Sequence, residues 1–127
     1  MVNANPRLGV VGSHRLTREQ SEAAWLLLSG ALIFLAPGVV NTSTSTGVES
    51  VAAAVCNQMG WKEDNDLLVI HKPYNDIWTP NGKQDAYRRL IDNTDVLISI
   101  QRVGSYAGQW PVAVANDHGV EIYKYYL

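Results

Sequence analysis

The chain reads as an α/β protein, a Rossmann-like three-layer sandwich of about five mostly parallel strands with helices on both faces. Three observations predict it. Short apolar runs alternate with segments of helical periodicity, the connections between them are short, and the strand candidates are near-continuous apolar runs. A strand covered by helices on both faces has no polar side to show, so the last feature points to a doubly covered parallel sheet.

Each element follows from local chemistry. Arg7-Leu8-Gly9-Val10-Val11-Gly12 is a short apolar run ending in glycine, a buried central strand. Thr17 with Gln20 three residues on is a capping-box pattern, so the first helix starts there and runs through the Ala23–Leu35 stretch. Pro37-Gly38 stops it. Val39–Thr42 is a second strand, Ser43–Gly47 a hydroxyl-rich loop, and Val48–Met59 a second helix closed by Gly60. Asp66–His71 is the third strand and Tyr74–Asn81 a loop containing Trp78. Ala86, Tyr87, Leu90 and Ile91 recur at helical spacing, which makes Lys83–Asn93 the third helix. Asp95–Ile100 is the fourth strand and Gly104–Gly108 a glycine loop. Pro111 suits the first turn of a last helix reaching Asp117, and Val120–Tyr123 is the fifth strand.

At 127 residues the chain is expected to be one domain, 1–127, with no linker or repeat. Its net charge of -2 comes with scattered Lys and Arg, so there is no strong nucleic-acid signal. Cys56 is the only cysteine, which forbids an internal disulfide and fits a reducing, cytoplasmic setting; its apolar neighbours make it a buried structural thiol. Three dispersed His and that one Cys offer no ligand spacing, so no metal is expected, and no cofactor. Ala23–Val40 carries no charge, but Ser29, Gly30, Pro37 and Gly38 interrupt it, so a buried helix running into a strand is expected and no membrane span. The first apolar run, Leu8–Val11, is too short for a signal peptide.

In open α/β sheets the ligand lies beyond the carboxyl ends of the strands. Three loops leave those ends and enter helices: Gly12-Ser13-His14-Arg15, Ser43-Thr44-Ser45-Thr46-Gly47, and Gly104-Ser105-Tyr106-Ala107-Gly108. Glycine lets backbone N–H groups approach an anion, hydroxyls add donors, and each helix start adds a positive end. The candidate ligand-binding residues are therefore Gly12, Ser13, Arg15, Ser43, Thr44, Ser45, Thr46, Gly47, Gly104, Ser105 and Gly108, with a phosphate-bearing, nucleotide-type small molecule as the expected partner. Glu49 reads two ways, as the third residue of a Thr46 capping box or as a ligand-facing, catalytic carboxylate. Gly12 and Gly104 could equally serve only tight turns. His71 and Lys72 end the third strand near the same crevice, and Trp78 and Trp110 fall beside it.

The segments Val10-Val11-Gly12-Ser13-His14-Arg15, Gly47-Val48-Glu49 and Asp95-Val96-Leu97-Ile98, in that order, resemble the SLOG superfamily, which includes the DNA-processing protein A and LONELY GUY families. The resemblance implies a Rossmann-like fold, with Gly104–Gly108 standing where those families place a second phosphate-binding turn. The chain departs from the pattern in two places. Thr44-Ser45 replaces the usual paired glycines. The LONELY GUY signature Pro-Gly-Gly-x-Gly-Thr-x-x-Glu meets Gly104–Pro111 here, with no acidic residue until Asp117.

Three functions are compatible with these residues. The first is a module that binds a nucleotide or nucleotide-derived ligand for sensing or sequestration. The second is an N-glycosidic hydrolase of nucleoside monophosphates or related nucleotides, using Glu49 as acid or nucleophile and Arg15 on the phosphate. The third is a ligand-free interaction protein, with Tyr123–Leu127 as an interface or an edge strand. A homo-oligomer is expected for so small a domain with four Trp.

Overall fold

The structure, a computed structural model, describes residues 5–73, 80–104 and 109–127. Its strands are β1 (Arg7–Gly12), β2 (Val39–Ser43), β3 (Leu68–His71), β4 (Val96–Gln101) and β5 (Glu121–Tyr126). The helices are α1 (Arg18–Leu35), α2 (Val48–Met59), α3 (Pro80–Asp92) and α4 (Gln109–Asp117). The strands form one parallel sheet in the order β3-β2-β1-β4-β5.

This order follows from the chain's path. From β1 it moves outward through α1 and α2 to β3, then α3 carries it back across the sheet to β4, and α4 leads to β5 on the opposite edge. Right-handed crossovers running in opposite directions put their helices on opposite faces. Accordingly α1 and α2 pack with Leu8, Val10, Val40, Ile98 and Ile100 in one core. Tyr87, Leu90 and Ile91 of α3 and Ala115 of α4 pack with Val11 and Leu97 in the other. β1 and β4 are the neighbours at which the direction reverses, so their carboxyl ends flank the crevice of the fold.

Local chemistry explains the element ends. Thr17 Oγ1 accepts from the Gln20 amide at 3.1 Å and Gln20 Oε1 accepts from the Thr17 amide at 3.0 Å, the capping box the sequence predicts. α3 begins at Pro80, earlier than Lys83, because proline's fixed φ and missing N–H suit a first helical residue. β3 starts at Leu68, not Asp66, since Asp66 turns left-handed (φ 61°) after a short 3-10 turn, Glu63–Asn65. β5 extends to Tyr126 as an edge strand on β4, so the aromatic tail packs on its own domain. The reading of Thr46 and Glu49 as a capping box is corrected: Gly47 caps α2 with no side-chain hydrogen bond.

Cys56 lies on the inner face of α2, and burial pushes its thiol up to about 12. In the native protein at pH 8 it should stay unmodified by an aromatic disulfide reagent for as long as the fold persists, and react at once in denaturant, as absorbance of the released thiolate would show.

Candidate functional site

The carboxyl ends of β1, β2 and β4 are drawn together by backbone contacts. Ser13, directly after β1, donates its amide to the Ile100 carbonyl of β4 at 3.1 Å, and its own carbonyl accepts from the Val48 amide of α2 at 3.0 Å. Glycine makes this approach possible. A Cβ on Gly12 would lie 2.2 Å from the Ile100 carbonyl oxygen, and one on Gly47 (φ 77°) only 2.1 Å from the Ser13 carbonyl oxygen. Thr46 Oγ1 adds a bond to the His14 carbonyl at 2.8 Å, and so staples the first loop to the second.

Between β1 and β4 the buried Ser13 hydroxyl donates to Gln101 Oε1 at 3.1 Å and accepts from the Arg102 amide at 2.8 Å. Gln101 in turn donates to Ser99 Oγ at 3.1 Å. Beneath α2 lies a second network. Glu49 is 0% exposed, and its two oxygens accept from Ser43 Oγ and from the Tyr87 hydroxyl of α3, both at 2.8 Å. Burial raises its carboxyl above the usual range, while the bonds from Ser43, Tyr87 and Ser45 and the charge of Lys83 work the other way. The Ser45 amide donates to Ser43 Oγ at 3.2 Å, which shapes the β2–α2 loop around the carboxylate.

Lys83, in the first turns of α3, donates to His14 Nε2 at 3.2 Å. Burial and that ammonium hold the His14 ring below its ordinary value, so at neutral pH it is an uncharged acceptor. Arg15 is exposed at the mouth, and Arg102 leaves β4 half-buried, its Nε enclosed without a partner among the described residues. Positive side chains thus stand where β1, β3 and β4 hand over to their helices. The nearest described acid of α3, Asp85, is paired with Arg88.

The predicted residues separate into two groups. Gly12, Ser13, Ser43, Gly47 and Glu49 are committed to internal contacts that build the site, whereas Arg15, Thr44 and Gly104 are exposed and Ser45 half-buried. Ser105, Gly108 and Trp78 lie outside the described residues. His71 is buried and bonded to Asn41 Oδ1 at 2.9 Å, so it does not reach the crevice. Trp110 packs in the second core with the Arg88 guanidinium 5.5 Å above its ring. Sequence reading missed Lys83, Tyr87 and Arg102 as members of the site. A parallel fold carries the signal for them, since Arg102 follows β4 directly and the first turns of α3 must open at the same end as those of α2.

Beside the crevice, between α4 and the β4–β5 pair, a groove of about 310 Å³ is lined by Gln101, Gln109, Asn116, Lys124 and Tyr126. A larger cleft of about 480 Å³ lies at the amino ends of the strands, but its arginine, Arg7, is already held by Asp95 at 3.0 Å. Among the described residues no group of three or more His, Cys, Asp and Glu could hold a metal ion, and no helix is long and apolar enough to cross a membrane.

No protein-family model matches the chain, and no curated protein matches it in sequence. Solved structures do match its shape. DNA processing protein A from Helicobacter pylori, described for its single-stranded DNA binding mode, superposes with a TM-score of 0.67 at 11% identity over 95% of this chain. The Streptococcus pneumoniae protein of that name gives 0.57 at 10% over 95%, and the Moco carrier protein of Chlamydomonas rheinhardtii 0.60 at 16% over 94%. The chain spans 65% and 59% of the two DNA processing proteins and 75% of the carrier protein. The shared feature is the fold, a Rossmann-like α/β arrangement.

Two outcomes follow from this geometry. Gly47→Ala should destabilise the protein by more than about 3 kcal/mol in urea unfolding, because left-handed strain adds to a backbone clash. Gly104→Ala, equally left-handed (φ 83°) but with nothing within 4 Å of its Cβ, should cost only about 1–2 kcal/mol. The raised Glu49 carboxyl means that the folded state holds its proton more tightly than the unfolded chain. The stability of the wild type relative to Glu49→Gln should therefore fall as pH rises from about 4.5 through the folded-state value, in urea titrations at successive pH.

Proposed function

We propose that this SLOG-like domain binds an anionic, nucleotide-type ligand at the carboxyl ends of β1, β2 and β4 and holds it unchanged, as a sensing or sequestering module does. The observation that carries the reading is the charge at that end. Arg15, Lys83 and Arg102 stand at the mouth, while Glu49 behind them is fully enclosed with both oxygens engaged.

The parts divide the ligand between them. The start of α2, capped by a glycine that offers no side-chain acceptor and with its Val48 amide held by the Ser13 carbonyl, presents a positive helix end to a phosphate. Arg15 and Arg102 supply charge-assisted donors. The uncharged part of the ligand enters the 310 Å³ groove, where the amides of Gln109 and Asn116 read hydrogen-bonding edges and Tyr126 supplies an aromatic wall. The names of the similar structures support binding over chemistry, since one is described by the DNA strand it binds and another as a carrier.

A second reading, hydrolysis of an N-glycosidic bond, is favoured by one observation: a carboxyl held above its usual pKa is what a general acid requires. For Glu49 to touch a substrate, the β2–α2 loop would have to open and release Ser43 and Tyr87.

One experiment separates the readings. Thermal unfolding is followed with nucleoside mono- and diphosphates, dinucleotides and short single-stranded oligonucleotides, and each mixture is then resolved by HPLC. Binding at a hundredfold excess over Kd should stabilise the fold by about 2.7 kcal/mol, and the ligand should be recovered intact. Arg15→Ala and Arg102→Ala should each weaken the best ligand roughly tenfold or more, and added salt should weaken it further. Free base on the chromatogram, lost in Glu49→Gln, would instead establish the hydrolase. No stabilisation by any anion would sink both.

A further inference from the structure

The last three turns of α1 are apolar on every side. No charged residue occurs from Ala23 to Leu35. Ala24, Leu28 and Leu32 enter the core, yet Leu26 and Ile33 remain 73% exposed and Phe34 87%. A helix apolar all round belongs among helices covered on all sides, and this one is not long and apolar enough to cross a membrane.

The fold explains why the face is bare. Beyond α1 the sheet continues to the edge strand β5, whose Tyr123 and Tyr125 point to the α1 side. Between them runs an apolar groove of about 350 Å³, lined by Leu27, Gly30, Ala31, Phe34, Tyr123 and Tyr125. From these exposures the face presents roughly 600 Å² of apolar surface, the upper end for a lone monomer. It approaches the ~800 Å² that each partner contributes to a standard interface.

Gly30 indicates what covers it. Glycine in mid-helix costs about 1 kcal/mol relative to alanine. Nothing lies within 4 Å of where its Cβ would be, so its own domain has no need of a glycine there. Leu26 and Phe34 stand one on each side of this notch, four residues away. Two copies of α1 crossing antiparallel at Gly30 would bring Leu26 of each chain onto the partner's Phe34, a contact that closes on itself as a two-fold interface must. The charges at the near end of α1, Arg18 and Glu22, pair with each other at 3.4 Å, and Glu121 accepts from the Tyr123 hydroxyl at 2.6 Å. Among the described residues no basic cluster lines this groove to draw a phosphate-bearing surface.

We propose that this face docks a second copy of the chain, α1 against α1 across a two-fold axis at Gly30. The surface lies apart from the carboxyl-end crevice, so the dimer leaves that site open. Sedimentation equilibrium of the wild type should give twice the 14.0 kDa of the chain. Phe34→Glu should return it to the monomer. Gly30→Leu should do the same while melting no lower than a wild-type monomer, because the new side chain meets open space in its own domain. Leu26→Lys combined with Phe34→Glu should restore the dimer at low salt, since opposite charges then meet across the axis. A wild type that stays monomeric at millimolar concentration would overturn the proposal. So would a dimer indifferent to both single changes, a double variant that remains monomeric, or a monomer that co-sediments with phosphatidylcholine vesicles.

Discussion

The site depends on one meeting of backbones, the Ser13 carbonyl against the Val48 amide at 3.0 Å, with Gly12 and Gly47 on either side. Three segments from distant parts of the sequence converge there: the end of β1, the end of β4 and the start of α2. A side chain on either glycine would hold them apart. Because they touch, Ser13 can bond both Gln101 and the Arg102 amide, and Thr46 can reach the His14 carbonyl. The first and second loops are therefore bonded to each other, with Arg15 following the first and Arg102 tied to Ser13 through its amide.

Glu49 extends the same logic to α3. A buried carboxylate is costly unless its acceptors are filled. Here a hydroxyl from β2 and one from α3 fill them, which ties three elements at the mouth of the crevice. Such a network suits a ligand site that is formed before the ligand arrives, because little ordering is left to be done on binding. The enclosed position of Glu49 makes it a positioning residue in the binding account.

The layout of the fold was legible because its signals are local and redundant. The apolar runs of β1 and β4, the Thr17–Gln20 capping box and the Gly60 stop each report one element without reference to the rest. The first two loops were legible as neighbours because a parallel sheet puts its βα turns at one end. What sequence could not supply was partnership. The spacing of Thr46 and Glu49 is that of a capping box, yet the hydroxyl bonds a different loop and the carboxylate a different helix. Tyr87 looked like a core residue, and it is one, but its hydroxyl sits 2.8 Å from Glu49. The net charge of -2 says nothing of placement: Arg15, Lys83 and Arg102 stand at the carboxyl ends, where Glu49 is enclosed and Asp85 is paired with Arg88, while at the amino ends Arg7 is held by Asp95. Likewise the uncharged stretch of α1 predicted a buried helix, whereas half of its circumference is bare in the single chain.

The most direct test of the central claim is a titration of the isotope-labelled protein with the best-stabilising nucleotide, followed through its backbone amide resonances. Shifts should be confined to Arg15, Thr44–Glu49, Lys83 and Arg102 and to the Gln101–Asn116 groove, with the ligand's own resonances unchanged over hours. Shifts centred instead on Arg7, Asp95 and His118 at the amino ends, or none anywhere, would contradict that claim.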